Sequence, residues 1–179
     1  MTFVSFSSNP SAHSRFRLPV AVAIILFFYS LDQISKWLVI RALPLDTGNR
    51  VIIPGFFTLV HWGNTGAAFS SFSQKNGMFI LLSACTLIAL LIFAIRGAFQ
   101  HTAARFAVCL LSAGVLGNLT DRIHHHHVVD FLLFYLHVPF ANPWPAFNVA
   151  DSCICISAFI FVLSAWLEER KPVSPAANL

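Results

Sequence analysis

Charge is what this chain lacks. Only 10% of its 179 residues are Asp, Glu, Lys or Arg, against about 25% in ordinary soluble domains. Hydrophobic residues make up 57%, and mean hydropathy is +0.74. So few charges cannot cover a water-facing surface, so most of the solvent must be lipid. The formal charge of +4 is not gathered into a basic cluster interleaved with aromatics, so nucleic acid is not an expected partner. Other absences narrow the chemistry. There is no HExxH spacing for a zinc peptidase. The apolar runs contain no His, and no Ser has a His and an acid at matching depth. Cys85, Cys109, Cys153 and Cys155 all lie in apolar runs without metal-site spacing, and are expected to pack between helices.

What is present is four apolar runs, at about 18–40, 78–95, 103–122 and 149–167. Each is long enough to cross a hydrocarbon core of about 30 Å. The first resembles a signal peptide in following Arg15 and Arg17, but Asp32 and Lys36 lie in its second half and no clean small-residue cleavage pattern follows. A retained span is expected. Arg96 and Arg105 flank the tight second connection, and Arg170 and Lys171 follow the last run. The positive-inside rule then puts both termini in the cytoplasm and two long loops, about 41–77 and 123–148, outside.

The expected fold class is an all-α membrane protein: four transmembrane helices in one domain over residues 1–179. The first outer loop is expected to carry short strands, because 51–60 is rich in Val, Ile, Phe and Thr around Pro54-Gly55. In the second, Val128–Leu136 is apolar around Asp130 and reads as a segment on or in the interface. The Ser-rich start, 2–14, reads as a tail.

There are seven acids. Glu168 and Glu169 sit at a solvated helix end, and Asp46 beside Thr47-Gly48-Asn49 reads as turn chemistry. Asp32, Asp121, Asp130 and Asp151 lie in or against apolar segments, where carboxylates are costly and mark function. At 1.5 Å per residue, Asp32 lies roughly 21 Å into the first span and Asn118 and Asp121 roughly 22 and 27 Å into the third. Asp151 lies only about 3 Å from the outer end of the fourth, and Asp130 in the adjoining loop can reach the same layer. Asn118, Asp121 and Arg122 fall at i, i+3, i+4, and Asn148, Asp151 and Ser152 repeat that pattern. Asp32 and Lys36 form an i,i+4 pair, and Asp121 beside Arg122 reads as a second structural pair. Asp130 and Asp151 have no charged neighbour in sequence and are the better catalytic candidates. Two adjacent carboxyls that share a proton activate water with one group and protonate a carbonyl with the other.

Read in order, the blocks are specific. They are Asp32-Gln33 with Lys36, Asn64-Thr65-Gly66-Ala67-Ala68-Phe69, Gly117-Asn118 with Asp121-Arg122, Val128-Val129-Asp130-Phe131, and Phe147-Asn148-Val149-Ala150-Asp151-Ser152. Together, across residues 18–167, they resemble lipoprotein signal peptidase, or signal peptidase II. The resemblance implies an aspartic-type endopeptidase of the bacterial inner membrane with its active site near the outer face. It would cleave diacylglyceryl-modified prolipoproteins just before the lipidated cysteine. It implies Asp130 and Asp151 as the catalytic dyad, and Asn64, Phe69, Asn118, Arg122, Asn148, Asp32 and Lys36 as substrate-binding or supporting residues. Neither cofactor nor metal is implied. The partners expected are the prolipoprotein and membrane lipid, with the enzyme a monomer.

His124–His127 departs from that pattern. A metal site or a pH-dependent modulation of the dyad is the sharper interpretation, and a polar interfacial turn the simpler and favoured one. Three other functions compete. A proton-coupled transporter would need a polar path through the inner halves of the second and fourth spans, which lack one. A structural subunit leaves Asp130 and Asp151 unexplained. A metalloprotease on the His run lacks its motif.

Overall fold

The computed structural model describes residues 18–66, 75–99, 101–139 and 142–169. Four helices, α1 (Leu18–Ala42), α2 (Asn76–Ile95), α3 (Thr102–His124) and α4 (Val149–Glu169), each contain one apolar run. All four are long and apolar enough to cross a membrane. The Ser-rich start and Phe69 lie outside the described residues.

α3 is the central helix. It packs on α1, α2 and α4, and buries Ala107, Ala113, Gly114 and Gly117 along its length. Small residues carry that role because helices in lipid associate through close backbone packing rather than hydrophobic burial. A Cβ on Gly114 would sit 2.5 Å from the Ala150 carbonyl of α4, and one on Gly117 2.6 Å from Asp32 Oδ2 of α1. By contrast, α2 buries none of its residues, and Leu81, Leu82, Ile88 and Leu91 face outward.

The loops between α1 and α2 and between α3 and α4 fold together as one antiparallel sheet, in the order β1 (Asn49–Ile53), β2 (Phe57–Asn64), β3 (Val128–Phe134), β4 (Trp144–Phe147). Pro54-Gly55 makes the β1–β2 turn, with Gly55 at φ +73° and the Phe56 N–H donating to the Ile53 carbonyl at 3.0 Å. An aromatic ladder of Phe57, Phe134 and Phe147 ties β2, β3 and β4, with centroids 4.7 and 5.8 Å apart.

The sheet corrects two expectations. The all-α label does not cover it: β1 and β2 are the strands expected in the first outer loop, and the second outer loop adds β3 and β4. The segment read as interfacial is instead β3, an inner strand with Val128, Val129, Asp130, Phe131 and Leu133 buried. Apart from Asp130 its residues are all apolar because both faces are covered, which sequence periodicity alone cannot separate from a membrane-facing run. The cysteines are also corrected in part. Cys109 and Cys153 are buried, whereas Cys85 and Cys155 are exposed on their helices.

Candidate active site

Asp130 enters the site from β3 and Asp151 from the first turn of α4. β2 carries a bulge between Leu59 and Trp62, beside the Trp62–Asp130 pair. Both carboxyls line one cavity of about 860 Å³, together with Asn64, Gly66, Asn118 and Arg122, and with Trp62, Trp144, Phe147 and Ile154 as part of its apolar wall. The cavity is therefore polar at the carboxyls and apolar elsewhere, as expected for a ligand with a reactive centre and a greasy body.

Asn148 links the two acids. It sits one residue before α4 and caps it. Its Oδ1 accepts the Asp151 N–H at 2.8 Å, and Asp151 Oδ2 accepts the Asn148 N–H at 3.2 Å. This is a reciprocal capping box with a shorter acid than usual at the third helical position. The Asn148 amide then donates through Nδ2 to Asp130 Oδ1 at 2.9 Å. Asn148 is fully buried, so its geometry is fixed by these partners. Two further amides complete the carboxyl environments. Asn64 Nδ2 donates to Asp130 Oδ2 at 2.9 Å, and Asn118 Nδ2 to Asp151 Oδ1 at 2.7 Å.

Asp130 is 4% exposed. Burial, followed by repulsion from Asp151, pushes its pKa up to about 7, despite the hydrogen bonds from Asn64 and Asn148, which oppose the shift. A carboxyl there keeps a proton to donate near neutrality.

Arg122 lines the cavity wall. Its Nη2 donates to the Gly66 carbonyl at 2.7 Å, and its guanidinium lies 4.8 Å from the centre of the Phe79 ring. It does not pair with Asp121. Adjacent residues on a helix point about 100° apart, and Asp121 turns toward α1. There Lys36 Nζ lies 2.8 Å from Asp121 Oδ2 and 2.8 Å from Asp32 Oδ2. Gln33 Nε2 donates to both acids, at 3.0 and 3.1 Å. Asp32 and Lys36 are thus supports behind the cavity rather than an isolated pair.

Of the residues expected at the site, Asp130, Asp151, Asn64, Asn118, Arg122 and Asn148 converge, Asp32 and Lys36 lie in contact behind them, and Phe69 lies outside the described residues. Gln33 and Asp121 were missing from the expected set. Asp121 carried a signal in its i+3 spacing from Asn118, but Arg122 next to it supplied a false partner. Of the His run, His125 is the C-cap of α3 and its ring lies 6.0 Å from the His127 ring, His126 has φ +63°, and the His127 ring packs against Gly63, 3.1 Å from where a Cβ would be. Among the described residues no three His, Cys, Asp or Glu are arranged to hold a metal ion.

The model of the family described as signal peptidase (SPase) II matches residues 24–167. The lipoprotein signal peptidase of Neisseria meningitidis serogroup C (strain 053442) is 40% identical over 161 residues, covering 88% of this chain and 92% of that protein. The lipoprotein signal peptidase of Symbiobacterium thermophilum is 36% identical over 154 residues, covering 86% and 97%. A solved bacterial membrane enzyme superposes with a TM-score of 0.80 at 27% identity, covering 88% of this chain and 93% of that one. The chain belongs to the signal peptidase II family of membrane proteases, the lipoprotein signal peptidases.

Proposed function

We propose that the chain is an aspartic-type endopeptidase that removes the signal peptide from diacylglyceryl-modified prolipoproteins, cleaving just before the lipidated cysteine. The observation that carries the proposal is the link through Asn148, which hydrogen-bonds both Asp130 and Asp151 at the edge of one cavity.

The chemistry follows from the two environments. Asp151, held by Asn118 and by its own capping box, acts as the carboxylate that takes a proton from water. Asp130, whose pKa stands at about 7, gives its proton to the scissile carbonyl as the water oxygen adds. The tetrahedral intermediate then collapses with proton transfer from Asp151 to the leaving nitrogen. The peptide bond breaks, and the acid formed returns a proton to Asp130. No cofactor or metal takes part in these steps. Asn64, Asn118 and Asn148 keep the two carboxyls in place, and Arg122 orients the substrate carbonyl. Phe69 and the β-sheet hold the peptide. Lys36 and Asp32 support the site from behind.

The apolar wall suits the lipid part of the substrate, which enters sideways from the bilayer. In this arrangement the enzyme is a monomer in the bacterial inner membrane, with both termini cytoplasmic and the cavity near the outer face. A gel-shift assay of a diacylglyceryl-modified prolipoprotein in detergent or lipid tests the proposal. The parent should cleave it with or without EDTA, and Asp130→Asn and Asp151→Asn should not. Cleavage that EDTA abolishes would remove the metal-free mechanism. Absence of cleavage by the parent would favour a proton transporter, to be examined by proton-flux measurements.

A further inference from the structure

Lys36 is 2% exposed and lies among acceptors on two helices. An ammonium has three N–H donors and no acceptor. Three oxygens receive them: Asp32 Oδ2 at 2.8 Å, Asp121 Oδ2 at 2.8 Å and Asn118 Oδ1 at 3.2 Å. Each of these three residues also hydrogen-bonds at or next to the dyad. Asp121 Oδ2 also accepts the N–H of Val129, the residue before Asp130, at 3.1 Å. Asp32 Oδ1 accepts the N–H of Ala150, the residue before Asp151, at 2.8 Å. Asn118 must turn its oxygen to Lys36, because an ammonium cannot accept, and this leaves Nδ2 for Asp151.

The strand that delivers Asp130 and the helix that delivers Asp151 come from different parts of the chain, yet each is fastened by a buried carboxylate at the preceding backbone N–H. One cation lies between the two carboxylates, 2.8 Å from each. The Gln33 amide bridges the same two acids and donates to the Gly117 carbonyl at 3.3 Å, which fixes the assembly to α3. Gly117 has no side chain to obstruct Asp32, whose Oδ2 would lie 2.6 Å from a Cβ.

We propose that Asp121 is a positioning residue for Asp130, that Asp32 is one for Asp151, and that Lys36 fixes the separation of the dyad by holding both. The proposal rests on the assignment of Asp130 and Asp151 as the catalytic pair. Lys36 touches neither substrate nor water in this scheme; it acts through Asp121, Asp32 and Asn118.

The test is turnover of a diacylglyceryl-modified prolipoprotein by the full chain in lipid, with kcat and KM measured separately on the folded fraction. Asp121→Asn retains an acceptor for the Val129 N–H but loses the charge that binds Lys36. The expected result is kcat lowered roughly 10- to 100-fold with KM within about twofold, since a small misplacement of reacting groups slows chemistry more than binding. Lys36→Arg, which keeps the charge but not the three-way geometry, should show the same split, and is the deciding variant if Asp121→Asn does not assemble. Parental kcat in the folded fraction of both variants would overturn the proposal, as would a loss confined to the yield of folded protein. Asp130→Asn is run beside them. If it is inactive while Asp121→Asn and Lys36→Arg turn over normally, the dyad stands and the positioning proposal fails. If Asp130→Asn itself cleaves as the parent does, the dyad assignment fails first.

Discussion

Replacing Asp130 by Asn should abolish cleavage and, at alkaline pH, make the protein more stable. Asp130 ionises near pH 7 in the folded chain, against 3.8 for an unperturbed Asp, because burial and Asp151 oppose its charge. Between those two values the folded state holds a proton that the unfolded state has released. Stability therefore falls as pH rises through that window. Each pKa unit corresponds to about 1.4 kcal/mol, so the parent loses about 3 kcal/mol through this group between about pH 5 and about pH 8. Asn carries no charge at any pH and avoids that loss. It does set an NH2 group against one of the two amide donors, Asn64 or Asn148, which costs about 1–3 kcal/mol at every pH. The pH-dependent part is isolated by comparing parent and variant at the two pH values. Thermal unfolding in detergent should show the Tm gap moving in the variant's favour by roughly 6–12 °C from the lower pH to the higher, for a chain of this length. A gap that stays constant with pH would refute the claim that the proton resides on a buried Asp130.

The same proton governs the rate. kcat/KM should fall as pH rises through about 7, because Asp130 must be protonated to act as the acid, and a pH–rate profile checks this. Asn148→Ala removes the α4 cap and the bridge to Asp130 together. It should cost about 0.5–2 kcal/mol of stability from the cap alone, while turnover falls far more than the folded fraction, as read by cleavage assay and thermal unfolding on one preparation. Gly114→Ala drives a methyl into the Ala150 carbonyl and should destabilise by about 1–3 kcal/mol. It also shifts the start of α4, so activity should fall with it.

The helices were legible because lipid makes one demand of every spanning segment, and long apolar runs satisfy it without regard to neighbours. The sheet was legible only at one end. Pro54-Gly55 and the β-branched residues around it announce a turn between strands, and β1 and β2 follow from that local signal. The pairing of β2 with β3 joins residues more than sixty positions apart, and nothing local encodes it. Apart from Asp130, Val128–Phe134 is apolar on successive residues, so it carries no period of two to mark a strand, and the same composition suits a segment lying in headgroups. The resolving fact is Asp130 itself, which could not lie buried in that segment without donors, and Asn64 on β2 supplies one of them.

The polar residues show a related limit. Spacing along a helix tells which side chains share a face, but not which face meets which helix. Asn118 and Arg122 reach the cavity, while Asp121, between them in the same i, i+3, i+4 set, points at Lys36. An acid next to an arginine in sequence looked paired, and an acid four residues before a lysine looked self-sufficient. In the folded chain Lys36 takes both acids, and Arg122 is left to donate to a backbone carbonyl beside the cavity. Donor satisfaction explains the outcome. A lysine buried to 2% exposure with a single partner would leave two of its donors unsatisfied, which costs more in a dry helix bundle than sharing it between two carboxylates. The guanidinium, with five donors in a fixed fork, is the cation better able to serve the cavity, because it can bind a carbonyl and still present N–H groups elsewhere. The assignment of the two cations, lysine to the scaffold and arginine to the cavity, thus follows from their donor geometry once the helices are brought together.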